Sequence, residues 1–136
     1  MIESVHNYIA DKDQIIRKGA ISAYQGEQVI IPLNMADGTI IGTGKGNTAY
    51  NKSAPHGAGR NHSRTEMFRK LDKGEYCLED FSNSMEGVFS TSINRETFDE
   101  SKFAYKDPAE IEKYLLETVV VSDRLKPVYN LKAAGG

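Results

Sequence analysis

The stretch SAPHGAGRNHSR, residues 53–64, decides how the rest of the chain is organised. It places a histidine, His56, at the start of a turn that carries two spaced glycines, Gly57 and Gly59. Glycine tolerates positive φ and lets a ligand approach the backbone closely. Such a turn beside an imidazole can hold a phosphate group against a nitrogen nucleophile. A histidine beside glycines is also a common structural residue of turns, and the stretch alone leaves that alternative open.

A helix is predicted to begin directly after this turn. Ser63, with Glu66 three residues later, has the spacing of a capping box. The residues that follow give the apolar stripe of a helix with one buried face: Met67, Phe68 and Leu71. The N-terminus of a helix attracts anions, and arginine adds paired donors of fixed geometry. We therefore expect Arg60 and Arg64 to contact phosphate groups.

Upstream of the turn, the sequence predicts strands and a hairpin. The run QVIIPL, residues 28–33, is rich in β-branched residues, and Pro32 is typical of a strand at the edge of a sheet. Asp37-Gly38 is a hairpin signal between this run and residues 39–42. A further short strand, ending at a glycine, is predicted over residues 15–20.

Two other upstream segments allow a prediction. Apolar residues at helical spacing favour a short helix over residues 1–10: Ile2, Val5, Tyr8 and Ile9. The segment GTGKGNT, residues 42–48, has the glycines and the lysine of a phosphate-binding loop. However, Lys45 is followed by glycine rather than by serine or threonine, and no helical pattern begins there. A flexible turn is the better prediction for this segment.

Downstream, Asp107-Pro108 followed by Glu110 is a strong signal for the start of a helix. The buried face of that helix is expected to comprise Ile111, Leu115, Leu116 and Val119. Weaker patterns predict a helix over 75–81, a strand over 87–92, a loop over 98–106 and an extended segment over 126–131. The whole pattern predicts an α+β fold, with a mixed or antiparallel sheet and flanking helices, in a single domain over residues 1–136.

The charge of the chain is small in sum but uneven along its length. The 136 residues carry a net charge of −2, which argues against a general nucleic-acid binder. Residues 45–70 hold six basic residues against one acidic residue, whereas residues 75–123 hold four against twelve. We expect the first segment to face phosphates and the second to form a solvated surface.

The sequence also favours a cytoplasmic location without a membrane partner. No apolar run approaches the length of a membrane span, and the first residues lack the pattern of a signal peptide. The single cysteine, Cys77, suits a reducing compartment. It has no partner at zinc-site spacing, so a buried or incidental thiol is expected.

Short motifs along nearly the whole chain resemble those of the RtcB family of GTP-dependent RNA ligases. These motifs are His6-Asn7, RKGA (17–20), VIIP (29–32), the stretch 53–64, FSTS (89–92), AYK (104–106) and LKPVYNLK (125–132). The order histidine, glycine, alanine, glycine, arginine is highly specific. Family members are considerably longer, and these motifs belong to their C-terminal part. The chain therefore resembles a C-terminal fragment of such a ligase, without the N-terminal metal-binding part.

The resemblance implies an activity. RtcB ligases join RNA ends that carry a 3′-phosphate or a 2′,3′-cyclic phosphate to ends that carry a 5′-hydroxyl, and they use Mn²⁺ and GTP. It also implies that His56 takes GMP covalently before GMP passes to the RNA. The RNA partner would be tRNA halves or other cleaved RNA, and the choice between tRNA splicing and RNA repair stays open.

The resemblance further assigns roles to individual residues. His6 corresponds to a metal ligand and Lys132 to a lysine that contacts the guanine. The other nucleotide-binding positions are His56, Gly57, Ala58, Gly59, Arg60 and Asn34, and Arg60 and Arg64 are implied RNA or phosphate contacts. The segment LNM, residues 33–35, departs from the Gly-Ser-Met of many family members. Asn34 is therefore the weakest of these correspondences.

One further alternative stays open. The chain could be a truncated, non-catalytic module of RtcB type that binds nucleotide or RNA, or that pairs with a second copy as a homodimer. A single histidine cannot make a metal site, so we expect this fragment to be inactive by itself even where the parent protein is a ligase.

Overall fold

The computed structural model describes residues 2–133, which divide between two units that alternate along the chain. The first unit holds residues 2–32, 39–58 and 107–125, and the second holds residues 33–38, 59–106 and 126–133. The stretch 53–64 crosses from one unit to the other. As a result His56 belongs to the first unit, whereas Arg60 and Arg64 belong to the second.

The described residues form short strands, α-helices and 3₁₀ segments. The strands are β1 (Tyr8–Ala10), β2 (Ile15–Arg17), β3 (Ala20–Ser22), β4 (Gln28–Pro32), β5 (Thr39–Gly44), β6 (Ser53–Pro55), β7 (Phe89–Ser90), β8 (Val119–Leu125) and β9 (Tyr129–Asn130). The helices are α1 (Arg64–Asp72), α2 (Leu78–Ser84) and α3 (Pro108–Leu115). The 3₁₀ segments are Thr48–Tyr50, Arg95–Glu100 and Lys102–Ala104. This mixture confirms the predicted α+β class.

The largest sheet lies in the first unit and has the strand order β4-β5-β8, antiparallel throughout. The predicted hairpin is confirmed, because β4 and β5 pair directly and Gly38 between them has φ of +82°. Ile31 and Ile40 face each other across this pair and are both fully buried. Pro32 ends β4 at the edge of the sheet, where the missing N–H of proline breaks no ladder.

The helix predicted over residues 1–10 is wrong for the part that the structure describes, and Met1 lies outside the described residues. Residues 8–10 form β1, which pairs with β2 in an antiparallel hairpin. Asn7 directly before it has a left-handed backbone, with φ of +69°, which a continuous helix does not allow. The apolar spacing resembled a helix, but pairing with a neighbouring strand satisfies the backbone instead.

Strands β3 and β6 form a separate antiparallel pair in the first unit, with Ile21 opposite Ala54. The buried guanidinium of Arg17 supports the loop that precedes β6. It donates to Ser53 Oγ at 2.9 Å and to the backbone carbonyl of Asn51 at 3.2 Å. This pairing places Gly19, directly before β3, beside His56, directly after β6.

The second unit has its own apolar core. The core residues are Met35, Ala36, Met67, Phe81, Met85, Val88, Phe98 and Ala104. The predicted start of α1 is confirmed, since Ser63 Oγ accepts the N–H of Glu66 at 3.2 Å. Residues 98–106, predicted to be a loop, are largely 3₁₀ turns because Phe98 and Ala104 are anchored in this core.

Two elements of the second unit have bounds that differ from the predicted ones. The helix expected over 75–81 is α2, which begins three residues later, at Leu78. The strand expected over 87–92 is reduced to β7, which pairs in parallel with β9 inside the predicted extended segment. The thiol of Cys77, directly before α2, is exposed.

Helix α3 begins where it was predicted to begin. Asp107 Oδ1 accepts the N–H of Ala109 at 2.8 Å, and Pro108 occupies the first turn. Ile111 and Leu115 are buried as expected, but Leu116 is exposed and Val119 already belongs to β8. The segment predicted as a flexible turn over residues 42–48 is also partly strand, because β5 runs to Gly44. In the part of the chain that the structure describes, no helix is long and apolar enough to cross a membrane.

We expect Phe98→Ala to lower the free energy of unfolding by about 3–5 kcal/mol, because it removes a fully buried ring from the core of the second unit. Phe89→Ala is the matched control. Its ring is 65% exposed and, among residues 2–133, stacks on Tyr129 alone, so its loss should cost no more than about 1.5 kcal/mol. Urea unfolding of both variants measures the difference. Equal losses would contradict this account of the core.

Candidate functional site

The pairing of β3 with β6 fixes the ring of His56. Its Nδ1 lies 2.7 Å from the carbonyl oxygen of Gly19, and its backbone N–H donates to the same oxygen at 3.4 Å. A carbonyl oxygen can only accept a hydrogen bond, so Nδ1 must carry the proton. In the neutral imidazole the lone pair then lies on Nε2. Nε2 makes no hydrogen bond with any residue of the described chain, and it is the nitrogen left for chemistry.

The carbonyl that orients His56 is itself held in place by Asn7. The N–H of Gly19 donates to Asn7 Oδ1 at 2.8 Å. Gly19 has φ of +66°, a backbone conformation that residues other than glycine rarely adopt. Asn7 also adopts a left-handed backbone, which asparagine tolerates better than most residues. Asn7, Gly19 and His56 thus form a chain of hydrogen bonds that ends at the imidazole.

His6 lies against His56 in the first unit. The two imidazole rings stack with 4.5 Å between centroids and 13° between planes. The structure therefore brings the predicted metal ligand and the predicted nucleophile together. Within residues 2–133, however, no group of three or more histidine, cysteine, aspartate or glutamate side chains is close enough to hold a metal ion.

The glycines after His56 serve different purposes. A side chain at Gly57 would place its Cβ 2.9 Å from the carbonyl oxygen of Pro32, so close backbone approach requires glycine there. The positive φ expected at Gly57 is not present, and only Gly59 has it, at +71°. The methyl group of Ala58 is buried. Positions 57–59 therefore shape the backbone.

In the second unit, the carboxylate of Glu100 gathers three side chains. Arg60 Nη1 lies 3.3 Å from Oε1, while Lys132 Nζ and the Tyr105 hydroxyl lie 3.2 and 2.9 Å from Oε2. Burial on its own would raise the pKa of Glu100, but the bonds from Tyr105 and Lys132 and the nearby positive charges outweigh it, and the pKa is lowered. Burial and the Glu100 carboxylate raise the pKa of Tyr105 to about 12, so its hydroxyl stays a donor.

The two arginines predicted to bind phosphate differ in how many of their guanidinium nitrogens already bond other residues of the described chain. Arg60 is 32% exposed and uses all three nitrogens: Nε donates to the carbonyl of His62, Nη1 contacts Glu100, and Nη2 donates to the carbonyl of Asp99. Arg64 is 52% exposed and donates through Nε to Asp99 Oδ2 at 2.9 Å. Its two terminal nitrogens have no hydrogen-bond partner among residues 2–133.

Two of the remaining predicted residues make mainly structural contacts. Lys132 is held through its backbone, whose N–H and carbonyl both bond Ser92 Oγ at 2.9 and 3.0 Å. Asn34 Oδ1 accepts the N–H groups of Ala36 and Asp37, and its Nδ2 donates to Asp37 Oδ2 at 2.6 Å. The amide of Asn34 thereby shapes the turn after β4.

The chain matches the family described as tRNA-splicing ligase RtcB over residues 1–133. It belongs to the RtcB family. Two curated relatives from Escherichia coli, RNA-splicing ligase RtcB of strain K12 and RNA-splicing ligase RtcB1 of strain ATCC 25922, are each 33% identical to it over 135 residues. The match covers 93% of this chain and 30% of each relative.

Within this RtcB chain, the sequence-predicted residues form two groups. His6 and His56 lie together in the first unit, and Arg60 and Lys132 converge on Glu100 in the second. Sequence reasoning missed Glu100, which it assigned to a solvated acidic surface. The neighbouring Asp99 is only 2% exposed, so the expectation that this acidic segment is solvated is wrong at both positions. No local pattern in the sequence marks Glu100, because its partner Arg60 lies 40 residues away along the chain.

The Glu100 contacts predict a pH dependence of stability. Its folded pKa is lowered, so its contribution is present at neutral pH and is lost as the pH falls through the folded value. We expect Glu100→Gln to lower the free energy of unfolding by about 1–3 kcal/mol at pH 7. The difference from the unmodified chain should shrink below the ordinary glutamate pKa of about 4.3.

Urea unfolding between pH 7 and pH 3 measures this difference. Glu86→Gln is the control, since Glu86 is exposed and has no ion pair within the described chain. A difference for Glu100→Gln that is the same at pH 7 and pH 3, or that matches Glu86→Gln, would contradict the role assigned to Glu100.

Proposed function

We propose that this chain belongs to a GTP-dependent RNA ligase of the cytoplasm and carries its nucleophile, His56. The ligase joins RNA 3′-phosphate or 2′,3′-cyclic phosphate ends to 5′-hydroxyl ends through a covalent GMP–histidine intermediate. The observation that carries the proposal is the bond from His56 Nδ1 to the Gly19 carbonyl at 2.7 Å, which leaves the lone pair on Nε2.

The first step follows from that tautomer. Nε2 of His56 attacks the α-phosphorus of GTP, a nitrogen–phosphorus bond forms, the bond from that phosphorus to the bridging oxygen breaks, and pyrophosphate leaves. The attacking nitrogen carries no proton, so no general base is needed. The positive charge that develops on the ring is stabilised by the carbonyl of Gly19, which already accepts the Nδ1–H.

The later steps transfer GMP to the RNA 3′-phosphate and then release it when the 5′-hydroxyl attacks. Lys132 contacts the guanine, and positions Asn34, Gly57, Ala58, Gly59 and Arg60 belong to the nucleotide site. Arg64 is the better phosphate contact of the two arginines, because its terminal nitrogens are not used within the described chain. We assign Arg60 a positioning role, since its nitrogens already bond Glu100 and two carbonyl groups.

We propose Mn²⁺ as the metal of the ligase, but this chain supplies only part of its ligands. The imidazole of His6 suits Mn²⁺, among other ions, and supplies one ligand. The described residues do not build a manganese site by themselves, because no group of three or more histidine, cysteine, aspartate or glutamate side chains gathers there. The other ligands would come from a part of the ligase outside this sequence. When bound, the metal would neutralise charge on phosphate oxygens.

A second candidate function is a non-catalytic module that binds GTP or RNA, or that pairs with another copy. The described residues hold no group of three or more potential metal ligands, and this favours the non-catalytic module for the 136-residue chain on its own. We expect that chain to be inactive in ligation. The chain spans about 30% of the length of its curated relatives, so the ligase activity refers to the longer protein. Substrates from tRNA splicing and from RNA repair fit the proposal equally.

Incubation of the full-length protein that contains this sequence with Mn²⁺ and α-³²P-labelled GTP tests the proposal. We expect acid-labile label on His56, because phosphoramidates of histidine are acid-labile, and no label above background in His56→Ala. His62→Ala is the matched control. His62 lies 3.1 Å from Glu66 through Nδ1 and should be dispensable for labelling. Label that survives His56→Ala, or no label on the unmodified protein, would overturn the proposal.

A further inference from the structure

We propose that the pocket around Tyr24 in the first unit binds a phosphate group of the RNA strand, at a site separate from His56. The pocket has a volume of about 360 Å³ and is lined by Lys12, Asp13, Tyr24, Gln25, Gly46 and Lys52. None of these residues lies in the motifs that carry the resemblance to RtcB ligases. The proposal rests on the proposed function for its choice of RNA as the ligand.

The two lysine ammonium groups of the pocket form no ion pair with the described residues. Lys12 Nζ and Lys52 Nζ lie 4.7 and 5.8 Å from the centroid of the Tyr24 ring. Neither ammonium group has a carboxylate within 4.0 Å among residues 2–133. Asp13, the one acidic residue of the lining, accepts the Tyr24 hydroxyl at 2.8 Å. The buried guanidinium of Arg17 lies 5.4 Å from the same ring and adds further positive potential.

The backbone around the pocket is set in an uncommon conformation. Asn51 and Lys52 both have left-handed backbones, with φ of +50° and +49°. For a lysine this conformation is unfavourable, and such strain is often found where a side chain is presented for function. The N–H of Lys52 donates to the carbonyl of Asn47 at 2.8 Å, and its carbonyl accepts the N–H of Ala23 at 2.8 Å. These two bonds hold Lys52 at the pocket.

The backbone at Gly46, which also lines the pocket, is constrained as well. A side chain at Gly46 would bring its Cβ within 2.8 Å of the backbone nitrogen of Gln25, so the two segments can meet only through glycine. Gly46 also donates its N–H to the carbonyl of Ala23 at 2.9 Å. The backbone at Gly46 and Gln25, which lines the pocket, is therefore fixed.

A phosphate group fits this arrangement better than a neutral or cationic ligand. Two lysine ammonium groups without protein partners favour a compact anion, and lysine binds phosphate as a point charge. Asp13 is the single carboxylate of the lining: its Oδ2 accepts the Tyr24 hydroxyl, and its buried Oδ1 has no hydrogen-bond partner among the described residues. One carboxylate is too few for the oxygen ligands of a divalent-cation site. In an RNA ligase the abundant source of such anions is the backbone of the strand, whose binding is dominated by phosphate contacts.

The test is fluorescence anisotropy with a labelled single-stranded RNA of about twelve nucleotides, a length that suits such sites. The double variant Lys12→Gln and Lys52→Gln should weaken binding about tenfold at low salt. It should also reduce the slope of log affinity against log salt by about 0.7 for each lost contact. The matched control is Lys102→Gln with Lys113→Gln, which removes the same charge at exposed lysines elsewhere and should change affinity less than about twofold.

Competition identifies the source of the phosphate. Unlabelled RNA should displace the probe, whereas inorganic phosphate or GTP at the same phosphate concentration should not. Displacement by phosphate or GTP would show that a free anion is the ligand and would overturn the RNA assignment. No binding of RNA by the unmodified chain, or equal loss in the two double variants, would overturn it as well. Circular dichroism of each variant checks that the fold is retained.

The result is separable from the proposed function. Labelling of His56 by GTP on the unmodified protein reports on the ligase proposal alone. If His56 is labelled but the two double variants bind RNA equally, only the pocket proposal fails. If RNA binding depends on Lys12 and Lys52 but His56 takes no label, the pocket stands as a phosphate site and the ligase proposal fails.

Discussion

One hydrogen bond, from the Nδ1–H of His56 to the carbonyl of Gly19, determines what the candidate nucleophile can do. It depends on the pairing of β3 with β6, which sets two segments 37 residues apart side by side. It also depends on left-handed backbones at Gly19 and Asn7, which aim the carbonyl at the ring. A nucleophile without its own general base must have its lone pair on the correct nitrogen before the substrate arrives. In this chain the backbone at Gly19 and the side chain of Asn7 fix the tautomer of His56, and no carboxylate of the described residues bonds the ring.

The second unit handles charge in a different way. Glu100 holds the ends of Arg60 and Lys132, and the hydroxyl of Tyr105 completes its hydrogen bonds. Long basic side chains lose much conformational freedom when they are fixed, and sharing one acceptor lets each limit the movement of the others. Arg64, by contrast, keeps two terminal nitrogens without a hydrogen-bond partner among the described residues, and in the first unit the two lysines of the Tyr24 pocket form no ion pair with them.

Local signals in the sequence were sufficient for several elements and insufficient for the site. The caps at Ser63 and Asp107 and the turn before Gly38 act within four residues, so their patterns predict the structure correctly. The family could be predicted because its different motifs follow one another in the same order along this chain, and the match to the family confirms that prediction. The helix over residues 1–10 failed because strand pairing, a non-local interaction, outweighs apolar spacing. The partners of His56 and Arg60 were not predictable for the same reason: Gly19 and Glu100 are far from them in sequence.

The most direct test of the central claim is nitrogen NMR of the chain with ¹⁵N-labelled histidine, recorded at a pH where the imidazole is neutral and assigned with His56→Ala. The account predicts that Nδ1 of His56 is the protonated, pyrrole-type nitrogen and that Nε2 is the pyridine-type nitrogen. This is the reverse of the tautomer usual for free histidine. A protonated Nε2 with a bare Nδ1, or rapid exchange between the two forms, would contradict the bond to Gly19 and remove the physical basis for His56 as the nucleophile.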